Sequence, residues 1–164
     1  MIPKKMRSSL KTGLSFGLTS GSITTLGLIV GLQSGTKSKL AIVGGIITIA
    51  FADALSDALG IHVSEESENK HTQKQIWVST LITFFSKLFF ATTFLIPILL
   101  LNLNLAVVVS IIWGLSALSI TSYFIAKQEG EKPTKVILEH LTIGIIVILV
   151  THYVGAWASK TFSN

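Results

Sequence analysis

The chain alternates long apolar segments with short polar ones. Residues 12–36, 88–126 and 141–159 contain no Asp, Glu, Lys or Arg, and His152 is their only histidine. Each segment is as long as the roughly 18 to 20 residues that cross a bilayer core as a helix, or longer. The segment 88–126 would measure about 58 Å as one helix, nearly twice a bilayer core, so it must form two spans. The sequence Asn-Leu-Asn at 102–104 is the natural turn between them.

This pattern predicts an all-α membrane protein, a single transmembrane domain over residues 1–164. It is a bundle of five transmembrane helices. The helices are predicted near 12–33, 40–62, 75–101, 104–127 and 135–159. Pro97 lies near the end of the third span, where a neighbouring helix can satisfy the backbone carbonyl that it frees.

Composition agrees with a membrane location. Hydrophobic residues make up 49 % of the chain and charged residues 13 %, with a mean hydropathy of +0.68. The net charge of +5 does not indicate nucleic-acid binding, because the basic residues flank apolar runs without interleaved aromatic residues. The absence of cysteine excludes disulfides, zinc-thiolate sites and cysteine nucleophiles. The basic start resembles a signal peptide, but the apolar run is long and lacks a small-x-small cleavage site, so we expect a retained helix.

The distribution of basic residues predicts the orientation in the membrane. With the N-terminus inside, nine Lys or Arg residues lie in inner segments and three in outer ones, which favours a cytoplasmic N-terminus and an outside or lumenal C-terminus. The inner residues are Lys4, Lys5, Arg7, Lys11, Lys70, Lys74, Lys127, Lys132 and Lys135, and the outer ones are Lys37, Lys39 and Lys160.

The first span is rich in glycine at four-residue spacing. Such spacing lets helix backbones approach closely, as in tight packing within a bundle or in a dimer. We assign these glycines to dimer packing. They are Gly13, Gly17, Gly21, Gly27 and Gly31, with Gly35 continuing the second run.

Asp53 and Asp57 lie one helical turn apart in the second span and share one face. A lone charge at such depth costs about 2.5–3.5 kcal/mol on insertion scales, so the pair needs compensation. Protonation, a protein cation, water or a metal ion could provide it. Lys87 is the only basic residue inside a span, and a structural pair of Lys87 with Asp53 is one outcome. The second carboxylate, which we expect to be Asp57, would then be free to exchange protons for a cation.

Further oxygen and nitrogen donors follow at the end of this helix. His62, Glu65, Glu66 and Glu68 could gather Fe²⁺ or Mn²⁺ before it enters the membrane, because carboxylate and imidazole ligands suit these ions. An acidic loop that is merely solvated explains the same residues. His152 lies deeper, where a hydrogen bond to a neighbouring helix and a role in proton transfer both remain open.

The sequence resembles the vacuolar iron transporter family. "SGSITTLGLIVGL" (20–32) and "ADALSDALGIHVSEESE" (52–68) are similar to the first two helices of that family, and weaker similarity continues through Pro97, 122–135 and 141–160. The resemblance implies a homodimer in membrane lipid that exports Fe²⁺ or Mn²⁺ from the cytosol in exchange for protons. It implies no permanently bound cofactor, and a location in the cell membrane or in a vacuolar or other organelle membrane.

The departures from the family pattern concern the predicted site. Ser20 stands where the family usually has an aspartate, Asp57 where it has a methionine, and Ile61 where a glutamate is common. The long glutamate-rich domain that many members insert between helices two and three is absent, which makes this a short form. We hypothesise that the acidic ligand of the pathway has moved from the first helix to the second, so that Ser20 and Asp57 exchange the roles of softer and acidic ligand. Asp53, Asp57 and Ser20 are then the expected metal ligands within the membrane. A carboxylate in place of a thioether favours harder cations such as Mn²⁺.

The sequence leaves one other class of function open and speaks against a further one. A transport-inactive scaffold or interaction protein could keep the fold while its aspartates pair with Lys87. An intramembrane enzyme is not expected, because the two aspartates share one helix and the sequence contains no serine–histidine pair, HExxH or phosphate-transfer motif.

Overall fold

A computed structural model describes residues 4–162, and side chains from Met6 onward. Lys4 and Lys5 of the charge count therefore have side chains outside the described part. Six helices follow one another with short connections, and residues 4–162 contain no strand. The helices are α1 (Lys4–Thr36), α2 (Lys39–Ser67), α3 (Gln73–Thr93), α4 (Leu95–Leu100), α5 (Leu103–Glu129) and α6 (Pro133–Phe162).

Within residues 4–162, five helical segments are long and apolar enough to cross a membrane, which confirms the predicted fold class. The third span consists of α3 and α4 together, Gln73–Leu100. Pro97 explains the interruption at Phe94, because proline has no N–H to donate to the Thr93 carbonyl four residues earlier. Asn102 begins α5 by accepting a hydrogen bond from the Leu105 N–H at 3.1 Å, so the turn predicted at 102–104 is present.

The helices are longer than predicted, most clearly in α1 and α2. α1 begins at Lys4 instead of residue 12, and α2 ends at Ser67 instead of residue 62. Hydropathy locates the part of a helix that lies in the apolar core, but polar residues continue a helix until a residue breaks it. For α2 that break comes at Asn69, whose φ of 54° ends the helical conformation.

α1 is the central helix of the bundle and α6 is peripheral. Half of the most apolar window of α1 is buried, against 6 % of the corresponding window of α6. α1 packs against α2, α3, α5 and α6. The apolar core lies where α1, α2, α4 and α5 meet, and its most buried members are Leu26, Ile29, Ile42, Ile46, Phe94, Ile98 and Ala106.

The glycines of α1 make their close contacts inside one chain. A Cβ on Gly13 would lie 2.6 Å from the Ser79 carbonyl oxygen of α3, and one on Gly17 would lie 2.9 Å from that of Thr83. Gly27 and Gly31 face α6 instead; their nearest neighbours there are Val147 and Thr151. These glycines therefore allow close helix packing within the chain, and their assignment to dimer packing stays a prediction.

Candidate cation site

Three helices bring Ser20, Asp53, Asp57 and Lys87 together. The Lys87 Nζ of α3 lies 2.5 Å from Asp53 Oδ2 and donates a hydrogen bond to Asp57 Oδ2, both on α2. From α1, Ser20 Oγ accepts from Lys87 Nζ at 2.9 Å and donates to Asp57 Oδ2 at 2.6 Å. The ammonium group is thus surrounded by three oxygen atoms, one from each of the residues that we predicted as ligands within the membrane.

Burial differs sharply between the two sides of this cluster. The Lys87 side chain is 1 % exposed, whereas those of Asp53 and Asp57 are 24 % and 20 % exposed. Glycines make room for the lysine: a Cβ on Gly21 would lie 3.3 Å from Lys87 Cγ. The cation is therefore sealed inside the bundle while the carboxylates reach its surface.

The cluster carries more negative than positive charge when all three groups are ionised. Two carboxylates face one ammonium, and the ammonium contacts Oδ2 of both Asp53 and Asp57. Carboxylates that are partly buried need their charge compensated, and one ammonium compensates only one of the two. One negative charge of the site is therefore left for a proton or a further cation.

Glu65 is buried, contrary to our interpretation of it as part of a solvated loop. It lies in the last turns of α2, is 7 % exposed and accepts a hydrogen bond from Ser79 Oγ at 2.5 Å. The burial follows from the helix spacing, because residue 65 falls two four-residue steps after Asp57 and so faces α3 as Asp57 does. Glu65 is a second carboxylate contact between α2 and α3.

The remaining predicted ligands are not brought together. His62 Nδ1 lies 3.1 Å from Thr80 Oγ1, and its ring meets that of Trp77 edge to face. Glu66 is exposed, and Glu68, at the end of α2, lies 3.8 Å from Lys70 Nζ. Among the described residues no group of three or more His, Asp or Glu side chains could hold a metal ion. These side chains thus have separate surroundings, and their role in gathering metal ions stays a prediction.

The deeper histidines link neighbouring helices. His152 Nδ1 lies 2.6 Å from Ser34 Oγ of α1, and His140 Nδ1 lies 2.7 Å from Ser122 Oγ of α5.

A polar cavity of about 660 Å³ opens beside His140 between α1, α5 and α6. Among the residues that line it are Lys11, Ser15, Thr19, Glu129, Glu139 and His140. None of the residues that line this cavity belongs to the cluster around Lys87.

The comparison with protein families identifies the chain. The model of the VIT family matches residues 71–156, more than half of the sequence, from the start of α3 into α6. The chain belongs to the VIT family. This confirms the resemblance to vacuolar iron transporters, and membership indicates an integral membrane protein that transports metal ions. No curated protein matches the chain.

The segment matched by the family model contains only one of the four residues of the candidate site. Lys87 lies inside it, whereas Ser20, Asp53 and Asp57 lie before it, in the part where we found the strongest motif resemblance to the VIT family. Two contacts of the structure were not predicted: that of Lys87 with Asp57 and Ser20, and that of Glu65 with Ser79. A signal was present, since Ser79, Thr83 and Lys87 recur every four residues and mark one polar face of α3.

Proposed function

We propose that this VIT-family protein exports divalent metal cations, Fe²⁺ or Mn²⁺, from the cytosol in exchange for protons. Asp53 and Asp57 are the carboxylates of the pathway. The observation that carries the proposal is the excess of negative charge in the middle of a membrane span. Asp53 lies at the centre of α2 (Lys39–Ser67), and one ammonium group cannot neutralise both aspartates.

The chemistry of the cluster suits a hard divalent cation. Its donors are carboxylate and hydroxyl oxygens, which Mn²⁺ and Fe²⁺ accept, and it contains no thioether or thiolate that would favour softer ions. Two carboxylates compensate the charge of one divalent ion, and the same carboxylates can instead hold protons. Protons and metal ions then compete for one site, which is the requirement for exchange.

A polar cavity beside α1 is separate from the cluster around Lys87. It opens at the end of the bundle that holds the N-terminal part of α1, the end of α5 and the start of α6. This is the end that the distribution of basic residues predicts to be cytoplasmic. None of the residues that line it belongs to the cluster, and Ser15 and Thr19 lie on another face of α1 than Ser20, so this cavity adds no support to the proposed site.

Transport into proteoliposomes tests the proposal. We expect Mn²⁺ uptake driven by a pH gradient, and we expect Asp57→Asn and Asp53→Asn each to reduce it by at least about tenfold, because each removes a charge from the site. Ser56→Asn introduces the same amide beside Asp57 on the exposed face of α2 and serves as the control. Full uptake by the protein carrying both aspartate substitutions contradicts the proposed site.

A transport-inactive membrane protein that keeps the family fold is the second candidate. The contacts of Lys87 with both aspartates favour it, because an ion pair can hold α2 and α3 together without any substrate. Folded wild-type protein that shows no uptake of Fe²⁺, Mn²⁺, Co²⁺ or Zn²⁺ under any pH gradient would support this second function.

A further inference from the structure

We propose that the Lys87 ammonium group occupies the cation position of the acidic site, and that a transported divalent ion must displace it toward the hydroxyl of Thr83. Lys87 then competes with the substrate for the site and weakens its binding. This inference rests on the proposed function, since it concerns how the same site takes its ion.

The oxygen atoms around Lys87 Nζ belong to the predicted ligands of the metal ion. Ser20, Asp53 and Asp57 are the residues that would hold a metal ion, and all three direct an oxygen to the ammonium group. The same oxygen atoms cannot coordinate a metal ion and contact the ammonium at these distances. Occupation by one cation therefore excludes the other.

Charge leads to the same conclusion. With the ammonium in place the ionised site has a net charge of −1, which does not compensate a divalent ion. A divalent ion beside an ammonium at contact distance would be strongly repelled in a poorly polarisable interior. Removal of the ammonium from the carboxylates leaves a charge of −2, which matches the charge of Fe²⁺ or Mn²⁺.

The structure offers the displaced lysine a polar neighbour. Thr83 lies four residues before Lys87 on the same face of α3, is 0 % exposed, and its Oγ1 has no hydrogen-bond partner among the described residues. Gly17 lies opposite both residues, with its Cβ position 2.9 Å from the Thr83 carbonyl oxygen and 3.2 Å from the Lys87 N. Gly17 lets α3 lie close to α1, and the Ser86 hydroxyl lies 2.0 Å from its Cβ position. Beside it, the buried unpaired hydroxyl of Thr83 is a ready acceptor for an ammonium.

Binding of Mn²⁺ to purified protein in detergent, measured by isothermal titration, tests the inference. We expect Lys87→Met to lower the dissociation constant by at least about tenfold, because the competing cation is gone. Lys87→Arg keeps the charge and the ion pair, and its planar group holds two carboxylates more firmly, so it should raise the dissociation constant. Equal affinities of wild type and Lys87→Met, or tighter binding by Lys87→Arg, would overturn the inference.

A double-mutant cycle tests the position of the displaced lysine. Thr83→Val removes the hydroxyl at nearly constant volume; we expect it to weaken Mn²⁺ binding several-fold in the wild type and to have no effect in Lys87→Met. An equal effect in both backgrounds contradicts the proposed displacement. Should Lys87→Met not fold, the comparison of Lys87→Arg with wild type decides. Failure of wild type and all variants to bind any divalent ion would instead remove the proposed function itself.

Discussion

The two glycine runs of α1 have the same spacing and pack against different helices, with different results. Gly13, Gly17 and Gly21 lie against α3, where the interface continues into the buried cluster around Lys87. Gly27 and Gly31 lie against α6, beside a groove of about 900 Å³ whose lining is mainly apolar. Small residues bring helix backbones together in both places. The first place adjoins the carboxylates and the ammonium of α2 and α3, whereas the second adjoins His152, which contacts Ser34. Glycine spacing thus indicates close packing, and the chemistry comes from α2 and α3.

On the side of α1 that packs against α3, which we call its polar side, removal of the buried Lys87 ammonium should cause the largest loss of stability. Lys87→Met leaves two carboxylates without a partner, and breaking a buried ion pair in this way costs about 3–5 kcal/mol. The free energy of unfolding, measured in mixed detergent micelles with EDTA, should fall by that amount. Addition of Mn²⁺ should restore part of it in the variant. Lys74→Met, on the exposed first turn of α3, is the control and should change stability by less than about 0.5 kcal/mol.

A similar loss for Lys74→Met and Lys87→Met would show that the ion pair contributes little. It would also weaken the distinction between the two sides of α1, since the polar cluster would then be no more than another packed surface.

On the side of α1 that packs against α6, which we call its apolar side, close backbone contact should contribute most to stability. A Cβ on Gly155 of α6 would lie 2.1 Å from the Gly31 carbonyl oxygen, and a backbone atom cannot rotate away. Gly155→Ala should therefore separate α1 and α6 and lower the free energy of unfolding by about 3 kcal/mol, the upper end of the range for overpacking. The same micelle assay measures it, with Gly44→Ala as the control because no heavy atom lies within 4 Å of that Cβ position. Unchanged stability of Gly155→Ala would mean that the two helices are not packed this closely.

The contrast between the two sides also explains what the sequence could predict. Five spans followed from hydropathy, because span number depends on length and apolarity along one dimension. The shared face of Asp53 and Asp57 followed from the helical period. Neither hydropathy nor the helical period predicts which helix packs against a given face. The contact of Lys87 with Asp57 and Ser20 depends on how three helices are rotated against one another.

Glu65 illustrates a second limit of the sequence. Its neighbours Glu66 and Glu68 are typical of a solvated loop, and local composition suggested the same for Glu65. The structure extends α2 by one turn beyond the predicted end, and that turn directs Glu65 toward Ser79 instead of water. An error of five residues at a helix end therefore changed the environment of a charged side chain.

The Glu65 contact leads to a smaller effect on the polar side. Ser79→Ala removes the hydroxyl that donates to Glu65 Oε2 and leaves a buried carboxylate with one hydrogen bond fewer. Hydrogen bonds to charged groups contribute about 1.5–3 kcal/mol, and we expect the lower end because Glu65 lies near the end of α2. The unfolding assay measures the loss. Ser67→Ala, whose exposed hydroxyl bonds only to the backbone of its own helix, is the control. Equal effects of the two substitutions would contradict a structural role for the Glu65 contact.

The smallest expected effect has the opposite sign and comes from Gly60 on α2. No heavy atom lies within 4 Å of its Cβ position, so alanine there meets no neighbour. Alanine also restricts the unfolded chain, and Gly60→Ala should raise the free energy of unfolding by about 0.5–1 kcal/mol in the same assay, while Mn²⁺ uptake stays unchanged. Gly155→Ala is the comparison, because the same substitution should be destabilising where a backbone lies opposite and stabilising where nothing does. A loss of stability in Gly60→Ala would show that this face of α2 is covered in the assembled protein. Gly60 lies only three residues from Asp57, so the exposed side of the carboxylates would then face a protein partner instead of lipid or water.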